Sequence, residues 1–136
     1  MFRRMLVPTD LTEGSRRALD LALALASPDG AKVSLLHVVE RIPNLEDAEL
    51  RTFYDQLERD ARARLRALAG AAHSPGQVEI VQQVLFGRRA EEIIRVAEDE
   101  NCDLVVLQHA ADERPLLGSI SYKVSVLAPC SVLLLK

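Results

Sequence analysis

Residues 5–39 of the chain, MLVPTDLTEGSRRALDLALALASPDGAKVSLLHVV, decide the fold. Their first part, Met5–Val7, is a short apolar run that Pro8 stops, which predicts a buried strand. Residues 15–27 are rich in alanine and leucine and end at a proline–aspartate–glycine turn, which indicates a helix packed on a large surface. Residues 32–39 are apolar and β-branched, which predicts a second strand. A strand, a helix and a strand in this order are typical of two parallel strands joined by a crossover.

The rest of the chain continues this alternation to a fifth strand. The further predicted elements are a helix at 46–72, a strand at 78–86, a helix around 90–97, a strand at 103–107, a helix from 118 and a strand at 132–135. Each helix carries apolar residues at helical spacing, and these are predicted to face the sheet: Ala18, Leu21, Ala22, Leu25 and Ala26; Leu50, Phe53, Leu57, Ala61, Leu65, Leu68 and Ala72; Ala90, Ile93, Ile94 and Ala97; Ile120, Val124 and Leu127. The pattern predicts one α/β domain over residues 1–136, with a mostly parallel sheet and helices on both faces.

The composition is typical of a soluble globular protein and argues against two classes of partner. Of the 136 residues, 49% are hydrophobic, only 4% are aromatic and none is tryptophan, so the core must be aliphatic. The net charge is −3 and no basic stretch interleaves with aromatic residues, so we expect no nucleic-acid partner. No apolar run is long enough to span a membrane, and the opening residues do not resemble a signal peptide. We therefore expect a cytoplasmic protein.

The sequence shows no catalytic or metal-binding motif. It has no Gly-x-Ser-x-Gly element, no phosphate-binding Walker loop and no cysteine–histidine pair at a meaningful spacing. Its two cysteines, Cys102 and Cys130, lie far apart and beside predicted strands, so we interpret them as reduced, small hydrophobic residues. We expect a protein that is not an enzyme; slow ATPase activity is the alternative with the least support.

The fold class predicts where a ligand binds. In open parallel sheets, ligands bind beyond the carboxyl ends of the strands, where the strand order reverses. The loops to consider follow the first and fourth strands, at residues 8–12 and 108–119.

Three long stretches together resemble the universal stress protein family. They are LVPTDLTEGSRRAL at 6–19, FGRRAEEIIRVAEDENCDLVVL at 86–107 and LLGSISYKVSVLAPCSVLLLK at 116–136, with LLHVV at 35–39 as a shorter match. Each piece alone is weak, but their order and spacing cover nearly the whole chain. The resemblance implies a doubly wound, five-stranded parallel sheet in the order 3-2-1-4-5, of the adenine nucleotide alpha hydrolase-like type.

The resemblance also implies a set of nucleotide-binding residues. A Pro-Thr-Asp segment after the first strand meets the adenosine in many family members, the end of the second strand flanks the base, and a glycine-rich loop and a Gly-Ser pair wrap the ribose and phosphates. The matching residues here are Pro8, Thr9, Asp10, Val38, Leu107, Gln108, Gly118, Ser119 and Ile120. The implied ligand is ATP or AMP, with Mg²⁺ if a triphosphate binds, and no cofactor follows from the residues themselves.

The glycine-rich loop departs from the family pattern. Gln108 and Ala111 stand where the family has glycines, and only six residues separate Ala111 from Gly118, fewer than in the family. Glycine lets a backbone approach a phosphate closely, so side chains at these positions keep a phosphate away from the loop backbone. The remaining acidic residues, Asp112 and Glu113, repel a triphosphate unless a metal screens them, and Arg114 offsets only one of them. We therefore predict that nucleotide binding is weak or lost.

Several of these residues have two interpretations. Asp10 is either a ligand contact or a turn and capping residue before the first helix. Gly118 and Ser119 either bind phosphate or only begin the last helix. His37, in an apolar strand, is more typical of a hydrogen-bonded core residue than of a catalyst. His109 is interpreted as an exposed loop residue.

Two arginines stand at the start of the third predicted helix, where the helix dipole disfavours positive charge. Arg88 and Arg89 either mark an anion site or form surface ion pairs with nearby acids such as Glu91 or Glu92. The sequence favours the second interpretation.

Two functions follow from these alternatives. The first is a nucleotide-responsive binding protein, supported by the retained Pro8-Thr9-Asp10 segment. The second, slightly favoured, is an interaction protein whose cleft is vestigial and whose dimer surface acts on an unknown protein partner. The continuous apolar strand Val132, Leu133, Leu134 and Leu135 would lie at the sheet edge, so we predict that it pairs with its own copy in a homodimer.

Overall fold

A computed structural model describes residues 2–41, 48–72, 76–109 and 119–136. The elements are β1 (Arg4–Pro8), α1 (Gly14–Leu25), β2 (Lys32–Val39), α2 (Ala48–Ala71), β3 (Glu79–Phe86), α3 (Arg89–Asp99), β4 (Leu104–Gln108), α4 (Ile120–Leu127) and β5 (Ser131–Leu135). All strand pairs are parallel and their order is β3-β2-β1-β4-β5. The predicted fold class and strand order are thus confirmed. The expectations for Gly118, Ala111 and residues 112–114 lie outside the described residues.

The sheet separates two layers of packing. α1 and α2 pack on one face through residues such as Leu19 and Leu65, which are fully buried. α3 and α4 pack on the other face through Ile93 and Val124, which are also fully buried. The strand β1 lies at the centre, and its Leu6 and Val7 have no exposed surface. Because parallel strands covered on both faces need apolar side chains on both sides, the continuous apolar runs of the sequence are explained.

The predicted helix faces need three corrections. In α1, the buried leucines are Leu19 and Leu23, whereas the predicted Leu21 and Leu25 are only partly buried. In a helix rich in alanine and leucine on all sides, the pattern does not fix which stripe meets the sheet. Phe53 in α2 is 52% exposed, although it was predicted to face the sheet.

Leu127 in α4 is 60% exposed and was likewise predicted to be inward-facing. It is the last residue of its helix, where the chain already turns toward β5. Among the described helices, none is long and apolar enough to span a membrane.

Glu100, just after α3, connects that helix to the outer half of the sheet. Its Oε1 accepts a hydrogen bond from the Ser34 hydroxyl at 2.8 Å, and its Oε2 accepts one from Gln83 Nε2 at 2.8 Å. Lys32 Nζ lies 3.4 Å from Oε1. Burial alone would raise the pKa of Glu100, but these hydrogen bonds and the lysine charge outweigh it, so the pKa lies below its ordinary value.

Candidate functional site

A cavity of about 380 Å³ opens at the carboxyl ends of β1 and β4. Eight of the nine residues proposed from the sequence line it, namely Pro8, Thr9, Asp10, Val38, Leu107, Gln108, Ser119 and Ile120. The ninth, Gly118, lies outside the described residues. Residues from four parts of the chain therefore meet at one place, which is where the strand order reverses. Five further lining residues were not among these nine, namely Ser15, Leu36, Arg89, Ile93 and Ser121; of them, the sequence had pointed only to Arg89, as one alternative for an anion site.

Thr9 fixes the first turn of the cavity wall. Its backbone N–H donates to Leu36 O at 2.8 Å, which extends the β1–β2 pairing by one residue. Its hydroxyl oxygen accepts a hydrogen bond from the Leu11 N–H at 2.9 Å. This bond closes a tight turn in which Leu11 has φ 68°, a left-handed conformation that is uncommon for a residue with a side chain. Such backbone strain is found most often at ligand-binding loops.

His37 supports the same loop from β2. Its Nδ1 lies 2.9 Å from the Thr9 carbonyl oxygen. Since a carbonyl only accepts hydrogen bonds, Nδ1 must carry the proton and act as the donor. Burial is the main reason that the pKa of His37 is lowered. This histidine is therefore a neutral, hydrogen-bonded support for Thr9, as the sequence indicated.

Asp10 is both a turn residue and a cavity residue. Its Oδ1 accepts hydrogen bonds from the Thr12 N–H at 3.0 Å, the Thr12 hydroxyl at 2.5 Å and the Ser15 hydroxyl at 2.9 Å. Burial acts to raise the pKa of Asp10, but these hydrogen bonds outweigh it and the pKa is lowered. The hydrogen bonds from Thr12 and Ser15 all go to Oδ1 rather than to the second oxygen, Oδ2. The turn interpretation thus describes Oδ1, whereas the N-cap of α1 is Glu13, which forms no side-chain cap hydrogen bond. Oδ2 is the oxygen left for a ligand contact.

The side chain of Gln108 packs closely against Gly14. A Cβ added to Gly14, the first residue of α1, would lie 3.1 Å from Gln108 Cγ, so a larger residue there would force the glutamine side chain to move by a few tenths of an ångström. Gln108 Nε2 donates a long hydrogen bond of 3.4 Å to the His109 carbonyl oxygen. Gln108 Oε1 is buried and has no hydrogen-bond partner in the described part of the chain. A buried acceptor without a partner is costly, so this oxygen is suited to a ligand donor.

Ser119 begins α4. Its hydroxyl oxygen accepts a hydrogen bond from the Tyr122 N–H at 3.1 Å, which is the usual N-cap arrangement. The helix-entry interpretation of this residue is therefore confirmed as structure, while phosphate binding stays a prediction.

Arg89 is the one cation among the described residues that line this cavity, and Asp10 is the one anion. The predicted ion pair between this arginine and a neighbouring acid is not found. Glu92 pairs with Arg95 instead, and the four described ion pairs do not include Arg89. The anion-site interpretation, which the sequence disfavoured, thus gains support.

Comparison with known proteins agrees with this geometry. The pattern of the Universal stress protein family matches residues 1–136. The chain belongs to this family. A universal stress protein of Thermus aquaticus, described by its position in the QAH/OAS sulfhydrylase 3′ region, is 33% identical over 145 residues and covers 100% of both chains. Universal stress protein YxiE of Bacillus subtilis is 29% identical over 148 residues, also with 100% coverage of both.

Solved structures of universal stress proteins share the fold. The protein UspA from Lactobacillus plantarum has a TM-score of 0.73 at 21% identity, covering 98% of this chain and 97% of its own. A universal stress protein in complex with cAMP has a TM-score of 0.67 at 21% identity, with coverages of 99% and 97%. A family protein from Arabidopsis thaliana with AMP bound has a TM-score of 0.67 at 18% identity, with coverages of 98% and 91%. At these identities the likeness establishes the fold alone.

Proposed function

We propose that this universal stress protein is a homodimeric regulatory protein whose cavity takes an adenine nucleotide weakly, with the nucleoside held better than a triphosphate. The observation that carries the proposal is the meeting of eight motif residues around one cavity at the switch point of the sheet. Two of the similar structures contain cAMP and AMP, which adds support for a ligand of this class.

The cavity suits a nucleoside in size and in chemistry. Its volume of about 380 Å³ lies in the range of roughly 300–1,000 Å³ that is usual for small-molecule sites. Val38, Leu107 and Ile120 keep some exposed apolar surface in the lining for a flat base, whereas Leu36 and Ile93 are fully buried. Oδ2 of Asp10 and Oε1 of Gln108 would accept hydrogen bonds from an amino group or from ribose hydroxyls.

A triphosphate is less well served. One arginine side chain faces the cavity among its described lining residues, and the carboxylate of Asp10 lies in the same wall. The four negative charges of ATP would therefore meet few positive charges of the protein, unless a Mg²⁺ ion bound to the phosphate oxygens of the nucleotide neutralised part of them. The replacement of loop glycines by Gln108 and Ala111 in the sequence points the same way.

We further propose that the protein acts by binding rather than by catalysis. Three hydroxyl groups of the described cavity wall already serve the structure: Ser15 donates to Asp10, Thr9 accepts from Leu11, and Ser119 accepts from Tyr122. ATP turnover above the background rate by the purified protein, lost in a cavity variant, would contradict this part.

A second candidate is a nucleotide-responsive regulator, in which ATP or AMP binds well enough to stabilise the dimer. The two similar structures that contain cAMP and AMP favour it. Isothermal titration separates the two candidates. We expect dissociation constants for ATP in the high-micromolar to millimolar range, whereas a submicromolar value would show that the weak-binding proposal is wrong.

The proposed homodimer forms through β5. Among the described strands β5 pairs with β4 alone, so its other edge is open, and its residues Val132, Leu133, Leu134 and Leu135 are all partly exposed. The Leu135 carbonyl accepts a hydrogen bond from the His109 N–H at 2.7 Å, so Leu135 faces β4. Because successive residues of a strand face opposite sides in hydrogen bonding, Leu133 also faces β4 and Leu134 faces the open edge.

Paired proline variants test the dimer. Leu134→Pro removes an outward N–H and should give a folded monomer, whereas Leu133→Pro removes a donor to β4 and should destabilise the fold itself. Light scattering and circular dichroism measure both effects. A wild-type protein that is monomeric at tens of micromolar would contradict the proposed assembly.

A further inference from the structure

We propose that Arg89 and Lys123 form an anion subsite between α3 and α4 that takes the phosphate group of a nucleoside monophosphate bound in the cavity. This inference rests on the proposed nucleotide function and adds to it the residues and the place that recognise the phosphate.

Arg89 stands where three cavities meet. It lines the main cavity of about 380 Å³, a second of about 400 Å³ beside α2, and a third of about 470 Å³ between α3 and α4. Its side chain is partly exposed and forms no ion pair with any described residue. The nearby carboxylate of Glu40 contacts the backbone of Arg89: its Oε1 accepts a hydrogen bond from the Arg89 backbone N–H at 3.3 Å.

The cavity between α3 and α4, here called the basic groove, has a positive wall. It is lined by Arg41, Arg88, Arg89 and Lys123 against Glu40 and Glu91, four cations against two anions. Arg41 lies over the ring of Phe86 at 4.9 Å from its centroid and is occupied there. Arg89 and Ile120 line both the basic groove and the main cavity, so the two lie side by side.

The electrostatics fix the orientation of a ligand. A cation without a counter-ion at the first residue of a helix is unfavourable, and an anion placed beside it relieves this cost. Arginine also binds phosphate through paired, charge-assisted hydrogen bonds. Asp10 carries the opposite charge in the wall of the main cavity, so it repels phosphate and favours hydroxyl or amino donors. The nucleoside would lie in the main cavity and its phosphate would leave past Arg89 into the basic groove.

The experiment compares adenosine, AMP and inorganic phosphate by NMR titration, which measures weak binding reliably. The proteins are the wild type, Arg89→Ala, Arg89→Lys, Lys123→Ala and the control Arg66→Ala. Arg66 is exposed on α2 and lines none of the three cavities, so Arg66→Ala removes the same charge at a distance from the proposed site. Thermal unfolding of each variant verifies that the fold is intact.

We expect Arg89→Ala to weaken AMP binding at least about tenfold while adenosine binding changes by less than about twofold. Arg89→Lys should recover part of the loss because it keeps the charge. Lys123→Ala should weaken AMP by only about two- to threefold, since Lys123 is exposed and screened by solvent. Arg66→Ala should leave both ligands unchanged.

Other results would overturn the inference in distinguishable ways. If adenosine binds the wild type but Arg89→Ala leaves AMP unaffected, or weakens both ligands equally, the phosphate subsite is wrong and the nucleotide cavity stands. If inorganic phosphate binds as tightly as AMP, the subsite takes a free anion and the tethered phosphate is wrong. If neither adenosine nor AMP shifts any cavity residue, the proposed function fails and the inference fails with it.

Discussion

Asp10 offers the clearest separation of structural and ligand roles, through the pair Asp10→Ala and Asp10→Asn. The alanine variant removes all three hydrogen bonds that Oδ1 accepts from Thr12 and Ser15. Loss of the acceptor of these hydrogen bonds costs about 1–2 kcal/mol. For a chain of this size, that corresponds to a fall in melting temperature of roughly 3–8 °C. The asparagine variant keeps an acceptor oxygen at the same place and should lose only a small part of the free energy of unfolding.

The assay is urea unfolding followed by circular dichroism, with Asp20→Ala as the control. Asp20 is an exposed residue of α1, so its replacement should not lower the midpoint. The folded pKa of Asp10 lies below its unfolded value of 3.8. Its charge-dependent stabilisation is therefore complete above that pH and disappears as the pH falls through the folded pKa. An alanine variant as stable as the wild type, or an asparagine variant as unstable as the alanine variant, would refute this reasoning.

Two further predictions concern a buried polar contact of the sheet and a contact of the cavity residue Gln108. Glu100→Ala should lower the free energy of unfolding by about 1–3 kcal/mol, because it leaves Ser34 and Gln83 without their acceptor. The folded pKa of Glu100 lies below its unfolded value of 4.5, so the difference from the wild type should shrink as the pH falls below 4.5. Urea unfolding at several pH values measures it, and a pH-independent difference would contradict it. Gly14→Ala should shift the Gln108 side chain by a few tenths of an ångström and so weaken adenosine binding with little loss of stability. NMR titration measures the binding, and an unchanged adenosine affinity would contradict this prediction.

The fold could be predicted from the sequence by two different kinds of information. Alternating apolar strands and amphipathic helices predicted the α/β class, and the strand Lys32–Val39 was placed at its observed bounds. The order of the strands came from the family resemblance, because an alternation of strands and helices is compatible with several orders. Proline and glycine gave the ends of most elements to within a few residues.

The helix faces were predicted less well because the sequence does not show where a helix's packing partner ends. Phe53 continues the apolar spacing of α2 but is 52% exposed. Leu127 continues that of α4, and it is exposed together with Tyr122 and Val126. These three side chains lie on the helix that precedes the edge strand β5, which is where the proposed second subunit would add cover.

The sequence located the cavity residues at the strand ends, but it did not show which charged side chain faces the cavity. Pro8, Thr9 and Asp10 could be located because the carboxyl end of a central strand is the expected ligand position. Arg89 could not be located in this way, because the sequence does not show which arginine forms an ion pair with Glu92. In the structure Glu92 binds Arg95, one turn further along α3, and Arg89 is left facing the cavity. A helix-start arginine was the one signal that the sequence offered.

The most direct test of the account is native mass spectrometry of the protein as purified. We predict the mass of a homodimer without bound nucleotide, because a cavity that binds ATP only weakly loses it during purification. A matched sample of Leu134→Pro should give the monomer mass. A wild-type monomer, or a protein that carries one ATP per chain after purification, would contradict the account.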